Sequence, residues 1–283
     1  MSPPVTATRS RIAVTGSTGR LGGQVVRALA GSAEHEVVAL ARTPAYDGGG
    51  KVQSVHTDYD DPDSLRTALV GVDTLVFVSS DGEAARMMTH HRNVVEAIVA
   101  SDVAHVVYLS GLDVDLSSPF CYAYTNGTTE ELLARTGCGL SVVRASIFTE
   151  FFAGLVARAR PSGELRLPAG DAQVSLVSRE DVARCLAALA TTPTGRSHDV
   201  TGPVALGMAE VAEVAERAWG TPVSYVDVPP TTFGAELAAS GEDPWWTYAY
   251  ASLFASIRQR RWEAVSEEVR ALTGRAPSAP SPW

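Results

Sequence analysis

The fold of this chain is decided by the stretch Val14-Thr15-Gly16-Ser17-Thr18-Gly19-Arg20-Leu21-Gly22-Gly23. It follows a short, mainly apolar run at 11–14 and leads into a helical pattern at 25–29, so strand, glycine turn and helix are expected in that order. In such a turn one glycine makes the sharp bend, another lets backbone N–H groups approach a diphosphate, and a third lets helix and strand pack closely. The pattern predicts a dinucleotide site.

A second strand pattern supports this interpretation over a glycine-rich loop that binds nothing. Residues 36–42 read Glu-Val-Val-Ala-Leu-Ala-Arg and complete a βαβ unit with the first strand and helix. We therefore expect contacts to the dinucleotide from the residues of the turn: Gly16, Ser17, Thr18, Gly19, Arg20, Leu21 and Gly22.

Strand and helix patterns alternate through the first two thirds of the chain. This alternation is typical of right-handed βαβ crossovers and predicts an α/β fold with a doubly wound parallel sheet of the Rossmann type. The predicted strands are Ile12–Thr15, Val37–Ala41, Ser54–Thr57, Thr74–Val78, His105–Ser110, Ser141–Arg144 and Ser197–Thr201. The predicted helices are Gly23–Leu29, Pro62–Val70, Ala84–Ala100, Thr128–Thr136, Phe148–Ala159, Val182–Ala190, Gly207–Trp219, Thr231–Ala239, Trp245–Arg260 and Glu263–Thr273.

The character of the sequence changes after residue 150. A helical pattern and a turn-rich, extended stretch occupy 151–171, and mostly helical patterns run from 203 to 276. We expect 9–150 to form the dinucleotide-binding core, 172–202 to return to it, and 151–171 with 203–276 to form a smaller substrate-binding portion. The proline-rich residues 277–283 are expected to be a loose tail.

Composition and charge exclude several classes of protein. The 283 residues are 45% hydrophobic and carry a formal net charge of −9. Because the chain is acidic and has no basic stretch, we expect no nucleic-acid partner. No apolar run approaches the roughly 20 residues that cross a bilayer, and the first eight residues lack the apolar core of a signal peptide. We expect a cytoplasmic protein that contacts neither nucleic acid nor membrane, and a homodimer is compatible with the sequence.

The sequence predicts no metal site and no disulfide framework. The three cysteines, Cys121, Cys138 and Cys185, are widely spaced and form no Cys-x-x-Cys pair. His90 and His91 are adjacent, so their rings point to different faces of a helix and do not chelate one ion together.

Arg42, at the end of the second predicted strand, decides the expected form of the cofactor. An NAD site usually has an acidic residue there, which accepts from ribose hydroxyls, whereas an arginine pairs with a 2′-phosphate. Arg20 adds a second cation, so we expect NADP(H); the alternative for Arg42 is a solvated strand-end charge.

Asp58, after the third strand, is expected either to meet the adenine amine or to start the next helix. Ser79 and Ser80 follow the fourth strand and are expected to face the middle of the cofactor or to be plain loop residues.

Several further motifs, in order along the chain, resemble one known family. Beside 14–23 they are Asp58-Tyr59-Asp60-Asp61-Pro62 with Ser64-Leu65, Arg92-Asn93-Val94-Val95-Glu96-Ala97, Val106-Val107-Tyr108-Leu109-Ser110-Gly111, Thr129-Glu130 and Thr201-Gly202-Pro203. The chain resembles, nearly from end to end, the NmrA-like atypical short-chain dehydrogenase/reductases, including NAD(P)H:quinone oxidoreductase-like and triphenylmethane-reductase-like members. The resemblance implies NADP(H) binding and, in many members, reduction of quinones or other conjugated acceptors. It also implies that Ser146, Ile147 and Phe148 approach the nicotinamide.

Ordinary short-chain reductases use a serine, a tyrosine and a lysine, and here the lysine is absent. Ser110 and Tyr122 stand at a suitable spacing, but Asn126 occupies the lysine position, and Lys51 is the only lysine of the chain. Because asparagine is neutral, it can hydrogen-bond a ribose but cannot lower a tyrosine pKa of about 10 by charge. Proton donation is then weak, which matters less for a quinone, whose reduced anion is delocalised, than for a ketone. Tyr122 and Tyr124 are alternatively wall residues.

Other residues around this site have either a functional or a purely structural role. Glu130 and Arg144 are carried over from the resemblance, and an ion pair is at least as well supported for them as a chemical role. Trp245, Trp246 and Tyr248 are expected either to line an aromatic pocket or to belong to a C-terminal core.

The sequence thus favours an NADPH-dependent reductase that transfers hydride to a quinone-like, aromatic polyketide-like or other conjugated small molecule. The candidates for catalysis are Tyr122, Ser110 and Asn126. Two alternatives remain open, a non-catalytic NADP(H)-sensing regulatory protein and an isomerase that uses bound cofactor for internal redox.

Overall fold

The chain folds around a parallel sheet whose strands alternate with helices. The structure, a computed structural model, describes residues 9–46 and 51–280. The strands in these ranges are β1 (Ser10–Val14), β2 (His35–Ala41), β3 (Val52–His56), β4 (Thr74–Phe77), β5 (His105–Gly111), β6 (Gly139–Ala145), β7 (Glu164–Leu167), β8 (Gln173–Val174), β9 (Ser197–Val200), β10 (Leu206–Gly207) and β11 (Ser224–Asp227). The helices are α1 (Arg20–Ala30), α2 (Pro62–Ala68), α3 (Ala84–Val99), α4 (Cys121–Ala134), α5 (Thr149–Val156), α6 (Arg179–Thr191), α7 (Met208–Trp219), α8 (Pro230–Ala239), α9 (Pro244–Arg258) and α10 (Glu268–Thr273). No helix in the described ranges is long and apolar enough to cross a membrane.

Within the described part of the chain, seven strands form the central sheet in the order β3-β2-β1-β4-β5-β6-β9, and every neighbouring pair is parallel. This confirms the predicted doubly wound parallel sheet. The strand order reverses beside β1, which pairs with β2 on one side and with β4 on the other. In such sheets ligands bind outside the carboxyl ends of the strands at this switch point.

Hydrophobic side chains cover both faces of the sheet. One face packs against α1, α6 and α10, through Val25, Leu186 and Val269 among others. The other face packs against α2, α3 and α4, through Val94 among others. A sheet covered on both sides explains why a strand such as 37–41 reads as a continuous apolar run and not as an alternating pattern.

A third hydrophobic cluster holds together the part of the chain that lies beyond the sheet. It includes Phe152, Phe254 and Trp262 and joins α5, α7, α8 and α9. Two small strand pairs that the sequence did not predict complete this portion: β7 is parallel to β11, and β8 is antiparallel to β10. Helix α10 departs from the expected division of the chain, because Val269 packs with α6 and β9 in the core of the sheet.

The tail expected to be loose over 277–283 is bound at Ser278. The backbone N–H of Ser278 donates to Asp181 Oδ2 at 2.7 Å, and its hydroxyl donates to Oδ1 at 3.3 Å. Asp181 lies fully buried on α6, where it also pairs with Arg184. A buried carboxylate needs such donors, because an unpaired charge in the interior is costly. Residues 281–283 lie outside the described ranges.

We expect a chain that ends at Pro277 to be less stable by about 2 kcal/mol, because Asp181 then loses both donors from Ser278. A chain that ends at Pro280 keeps both hydrogen bonds and is the matched control. Chemical denaturation of the two proteins measures the difference in the free energy of unfolding. Equal midpoints would show that the tail contributes nothing to stability.

Candidate functional site

A cleft of about 1260 Å³ runs along the carboxyl ends of the strands, where the sheet topology predicts a ligand site. It includes the glycine turn after β1, the segments that follow β2 to β6, and part of α9. Of the residues predicted for catalysis or for cofactor binding, all but one line it: Gly16, Thr18, Gly19, Arg20, Leu21, Gly22, Arg42, Asp58, Ser79, Ser80, Ser110, Tyr122, Asn126 and Ser146.

Ser17 is the predicted cofactor-binding residue that does not line the cleft. Its backbone N–H and its hydroxyl both donate to the carbonyl oxygen of Leu40, at 3.1 and 3.0 Å, and the residue is almost fully buried. The polar groups of Ser17 are therefore used to hold the glycine turn against β2. Ser17 therefore positions the turn and does not contact the space of the cleft.

The turn requires glycine for two different reasons. Gly16 has a φ of +59°, in the left-handed region that favours glycine. At Gly22 a Cβ atom would lie 2.2 Å from the carbonyl oxygen of Gly16 and 2.7 Å from its carbonyl carbon. The first turn of α1 therefore packs directly onto the glycine turn, and its backbone N–H groups, which have no partner within the helix, lie at the cleft. This cradle fits the diphosphate of a dinucleotide.

The two arginines predicted to select the cofactor both lie at the cleft and are exposed. Arg20 is the first residue of α1, and Arg42 directly follows β2. His56 Nδ1 lies 2.8 Å from the Arg42 carbonyl oxygen, which ties the backbone after β2 to β3. Asp58 lines the cleft nearby, and its Oδ1 accepts from the backbone N–H of Asp60 at 3.1 Å.

The loop after β4 takes part in a chain of polar contacts that sequence reasoning did not find. Ser79 donates to a carbonyl oxygen of β5 at 2.6 Å. Ser80 Oγ lies 3.1 Å from His90 Nδ1, and His90 Nε2 lies 2.9 Å from Asp60 Oδ1. Arg86 donates to Asp60 Oδ2 at 2.6 Å and thereby lowers the pKa of that carboxyl. Ser80, His90, Asp60 and Arg86 all line the cleft, and Asp60 and Arg86 form a largely exposed ion pair there.

Ser110, at the end of β5, has its hydroxyl committed to a carboxylate. It donates to Glu130 Oε1 at 2.6 Å, and Glu130 accepts from Arg144 Nε and Nη2 at 3.1 and 2.6 Å. Glu130 and Arg144 thus form an ion pair beside Ser110. Because the hydroxyl hydrogen is directed at Glu130, the serine retains only its lone pairs for a group in the cleft.

Tyr122 and Asn126 lie about one turn apart on α4, which begins earlier than predicted, at Cys121. The Tyr122 hydroxyl donates to the carbonyl oxygen of Gly82 at 2.7 Å, and burial raises the pKa of this tyrosine to about 12. Asn126 is buried, and its Oδ1 accepts from the Tyr108 hydroxyl at 3.2 Å. Both side chains lie at one cleft, but the raised pKa makes the tyrosine a poor proton donor.

The segment after β6 contributes an apolar wall and a cation. Ile147 and Phe148 line the cleft beside Ser146, whose hydroxyl lies 3.2 Å from Ser175 Oγ. Arg179, the first residue of α6, also lines the cleft, although nothing in the sequence pattern indicated it. Its guanidinium carbon lies 5.2 Å from the centre of the Phe148 ring.

Aromatic side chains line the part of the cleft that involves the C-terminal portion. Trp246 and Tyr250, about one turn apart on α9, have ring centroids 6.0 Å apart. Of the other two aromatic candidates, Trp245 packs against the Tyr122 ring and Tyr248 is exposed. Apart from Tyr59 and Phe148, the Phe, Tyr and Trp residues of the lining are Phe120, Tyr122, Phe151, Trp246, Tyr250 and Trp262.

The chain is similar to several known reductases. Quinone oxidoreductase 2 of Escherichia coli K12 is 29% identical over 236 residues, which cover 81% of this chain and 82% of that protein. A (4-alkanoyl-5-oxo-2,5-dihydrofuran-3-yl)methyl phosphate reductase of Streptomyces griseus is 30% identical over 270 residues, 93% of each protein. Among solved structures, an NADPH-dependent quinone oxidoreductase of Escherichia coli complexed with NADPH superposes with a TM-score of 0.89 at 26% identity, over 95% of this chain and 97% of that one.

The family suggested by the sequence motifs is confirmed by a family model. The model of the NmrA-like family matches residues 8–242, which include the glycine turn and the central sheet and end before α9. The chain belongs to the NmrA-like family.

Proposed function

We propose that this protein is an NADPH-dependent reductase that transfers hydride to a planar, conjugated small molecule such as a quinone. The observation that carries the proposal is the composition of one cleft, which combines a dinucleotide cradle with an aromatic-lined space. The relatives named above are themselves reductases, and one of them was solved with NADPH bound. Both the binding of NADPH and the reduction of a small molecule are therefore supported.

The residues present fit the cofactor. The turn from Gly16 to Gly22 holds the diphosphate with backbone N–H groups, and Arg20 and Arg42 pair with the 2′-phosphate. Ser146 and the apolar residues after it border the nicotinamide end. When bound, the reduced nicotinamide supplies a hydride to the acceptor.

The acceptor binds to the helical portion of the chain in this proposal. Residues 151–171 and 203–267 contribute Phe151, Trp246, Tyr250 and Trp262 to the cleft. Aromatic rings pair favourably with a flat conjugated molecule, through offset stacking and edge contacts. They also exclude water, so the acceptor is held close to the reduced ring in a dry, oriented position.

The candidate catalytic residues orient more than they protonate. Ser110 directs its hydrogen at Glu130 and accepts from a donor in the cleft, and Asn126 contributes amide N–H donors to a ribose hydroxyl. Tyr122 shapes the wall and holds the Gly82 carbonyl. A quinone reduced to its delocalised anion takes its proton from water, so the reaction does not depend on a strong acid in the protein.

Replacing Tyr122 by phenylalanine is expected to leave kcat with a quinone within about threefold of wild type, because general acid catalysis, where it operates, contributes at least 10²-fold. The raised pKa keeps this tyrosine protonated up to about pH 12, so no tyrosine ionisation is expected in the pH profile between neutral pH and mildly alkaline pH. Steady-state rates across that range measure both points. A loss of a hundredfold or more would assign the proton transfer to Tyr122.

The proposed function is tested by incubating the purified protein with NADPH and a panel of quinones, dyes, enones and saturated ketones. We expect oxidation of NADPH with the conjugated acceptors. Tight NADP⁺ binding without oxidation by any acceptor would replace the reductase by a cofactor-sensing protein. Turnover in which the cofactor stays bound and its spectrum is unchanged would indicate internal redox.

A further inference from the structure

The cleft contains a mostly buried cation to which the proposed function gives no role. The Arg179 side chain is 15% exposed, and its guanidinium stacks on Phe148, another residue of the cleft. Its ion-pair partner is Glu150, whose Oε2 lies 3.8 Å from Arg179 Nη1, too far for a hydrogen bond. Within residues 9–46 and 51–280 the guanidinium makes no hydrogen bond.

Glu150 is engaged with a different part of the same residue. Both of its carboxylate oxygens accept from the backbone N–H of Arg179, at 3.1 and 3.2 Å. This contact fixes the start of α6 and leaves the guanidinium without a hydrogen bond from Glu150. Arg144, which lies behind the cleft residue Ser110, is the contrast, since its guanidinium donates from two nitrogens to Glu130.

A guanidinium in this position is costly for the ligand-free protein. Burial lowers the pKa of Arg179, Glu150 raises it only in part, and the nearby charge of Arg20 lowers it further. A buried charge without hydrogen bonds destabilises a fold unless an opposite charge arrives. A mostly buried guanidinium without hydrogen bonds, at the wall of a cleft, is the arrangement expected of an anion-binding site.

We infer that Arg179 binds the diphosphate of the dinucleotide, together with the first turn of α1. The inference rests on the proposed function and assigns a new residue to its site. Helices α1 and α6 pack against each other, and Arg20 and Arg179, their first residues, both line the cleft. A planar guanidinium matches two phosphate oxygens at once, so it recognises a diphosphate well. The diphosphate is common to both nicotinamide cofactors, so Arg179 contributes equally to each, in contrast to Arg42.

The test measures the affinities of Arg179→Gln for NADP⁺ and for NAD⁺ by titration calorimetry, together with the melting temperature of the ligand-free protein. We expect both dissociation constants to rise by about tenfold and by the same factor, the loss of one strong charge-assisted hydrogen-bond pair. We expect the ligand-free melting temperature to stay the same or rise, because the variant removes a mostly buried charge that makes no hydrogen bond. Arg179→Lys, which keeps the charge but not the planar fork, is expected to recover part of the affinity.

The control variant is Arg217→Gln, which removes an arginine that is 68% exposed on α7 and does not line the cleft. It is expected to change neither affinity.

Unchanged affinities in Arg179→Gln would overturn the inference, and a KM that rises only for an anionic acceptor would assign the cation to that acceptor. A selective loss of NADP⁺ binding would overturn it in favour of the 2′-phosphate, and a lower ligand-free melting temperature with both affinities retained would make Arg179 structural. If the wild-type protein binds neither dinucleotide, the proposed function itself fails; if it binds both and Arg179→Gln binds them equally well, only this inference fails.

Discussion

Replacing Gly22 by alanine is expected to remove NADPH binding and to destabilise the fold. The new Cβ atom would meet the carbonyl oxygen of Gly16 at 2.2 Å, its carbon at 2.7 Å and the carbonyl oxygen of Thr15 at 3.1 Å. All three atoms belong to the backbone of the turn, so no flexible side chain can move aside. The turn must open, and it then no longer presents its N–H groups to a diphosphate. We expect a loss of about 3 kcal/mol in the free energy of unfolding, at the upper end for an overpacked core.

The loss of affinity for NADPH is expected to be at least about 100-fold, equivalent to about 3 kcal/mol. Calorimetric titration and chemical denaturation measure the two effects separately. Gly234→Ala is the control, because a Cβ atom there, on α8, meets nothing within 4 Å, and alanine favours a helix over glycine. That variant should be as stable as wild type or more so. Wild-type affinity in Gly22→Ala would mean that the cofactor does not rest on this turn.

Replacing Arg42 by glutamate is expected to weaken NADPH binding by about 100-fold and NADH binding by less than about threefold, since a charge-assisted pair contributes up to about 3 kcal/mol. The carboxylate would repel the 2′-phosphate that the guanidinium attracts, whereas NADH has no phosphate at that position. Dissociation constants for both cofactors, measured at one ionic strength, give the ratio.

Arg135→Glu is the matched charge reversal, at an exposed position just after α4 that does not line the cleft. It should leave the preference for NADPH unchanged. An equal loss of both cofactors in Arg42→Glu would leave Arg42 without a role in selecting NADPH. Comparison with Arg179→Gln then separates recognition of the 2′-phosphate from recognition of the diphosphate.

The central sheet could be predicted from sequence because its signals are local. Each buried parallel strand is a short apolar run bounded by polar or glycine residues, and the glycine turn fixed the position of the first strand and helix. The residues predicted to bind the cofactor followed from this frame, since the carboxyl ends of parallel strands meet at one edge. The residues Arg42, Asp58 and Ser79 were found by their place after a strand and do line the cleft.

The start of α4 was missed because its residues are poor helix formers. Between Cys121 and Thr129 the chain has threonines, an asparagine and a glycine, which local propensity assigns to a loop. The structure shows why Gly127 is there: a Cβ atom would lie 2.6 Å from the carbonyl oxygen of Val114. Close packing of helix against loop therefore outweighs propensity, and it brings Tyr122 and Asn126 onto one helix.

Contacts between distant segments were beyond sequence reasoning. His90 reaches Ser80 and Asp60 only because α3 packs beside the loops after β3 and β4. The pairing of β7 with β11 joins segments far apart in the chain, each too short to give a pattern. Arg179 was missed for the same reason, because no pattern in the neighbouring sequence indicates that its side chain is buried or that it lies at the cleft.

We propose that this cleft reduces conjugated acceptors without a strong proton donor in the protein. The most direct measurement is kcat/KM for NADPH oxidation with a quinone and with a saturated ketone of similar size and shape, under identical conditions. We expect a preference for the quinone of about 10³-fold or more, because only the ketone needs the acid catalysis that the protein lacks. Comparable rates with the two acceptors, or NADPH binding with oxidation by neither, would contradict it.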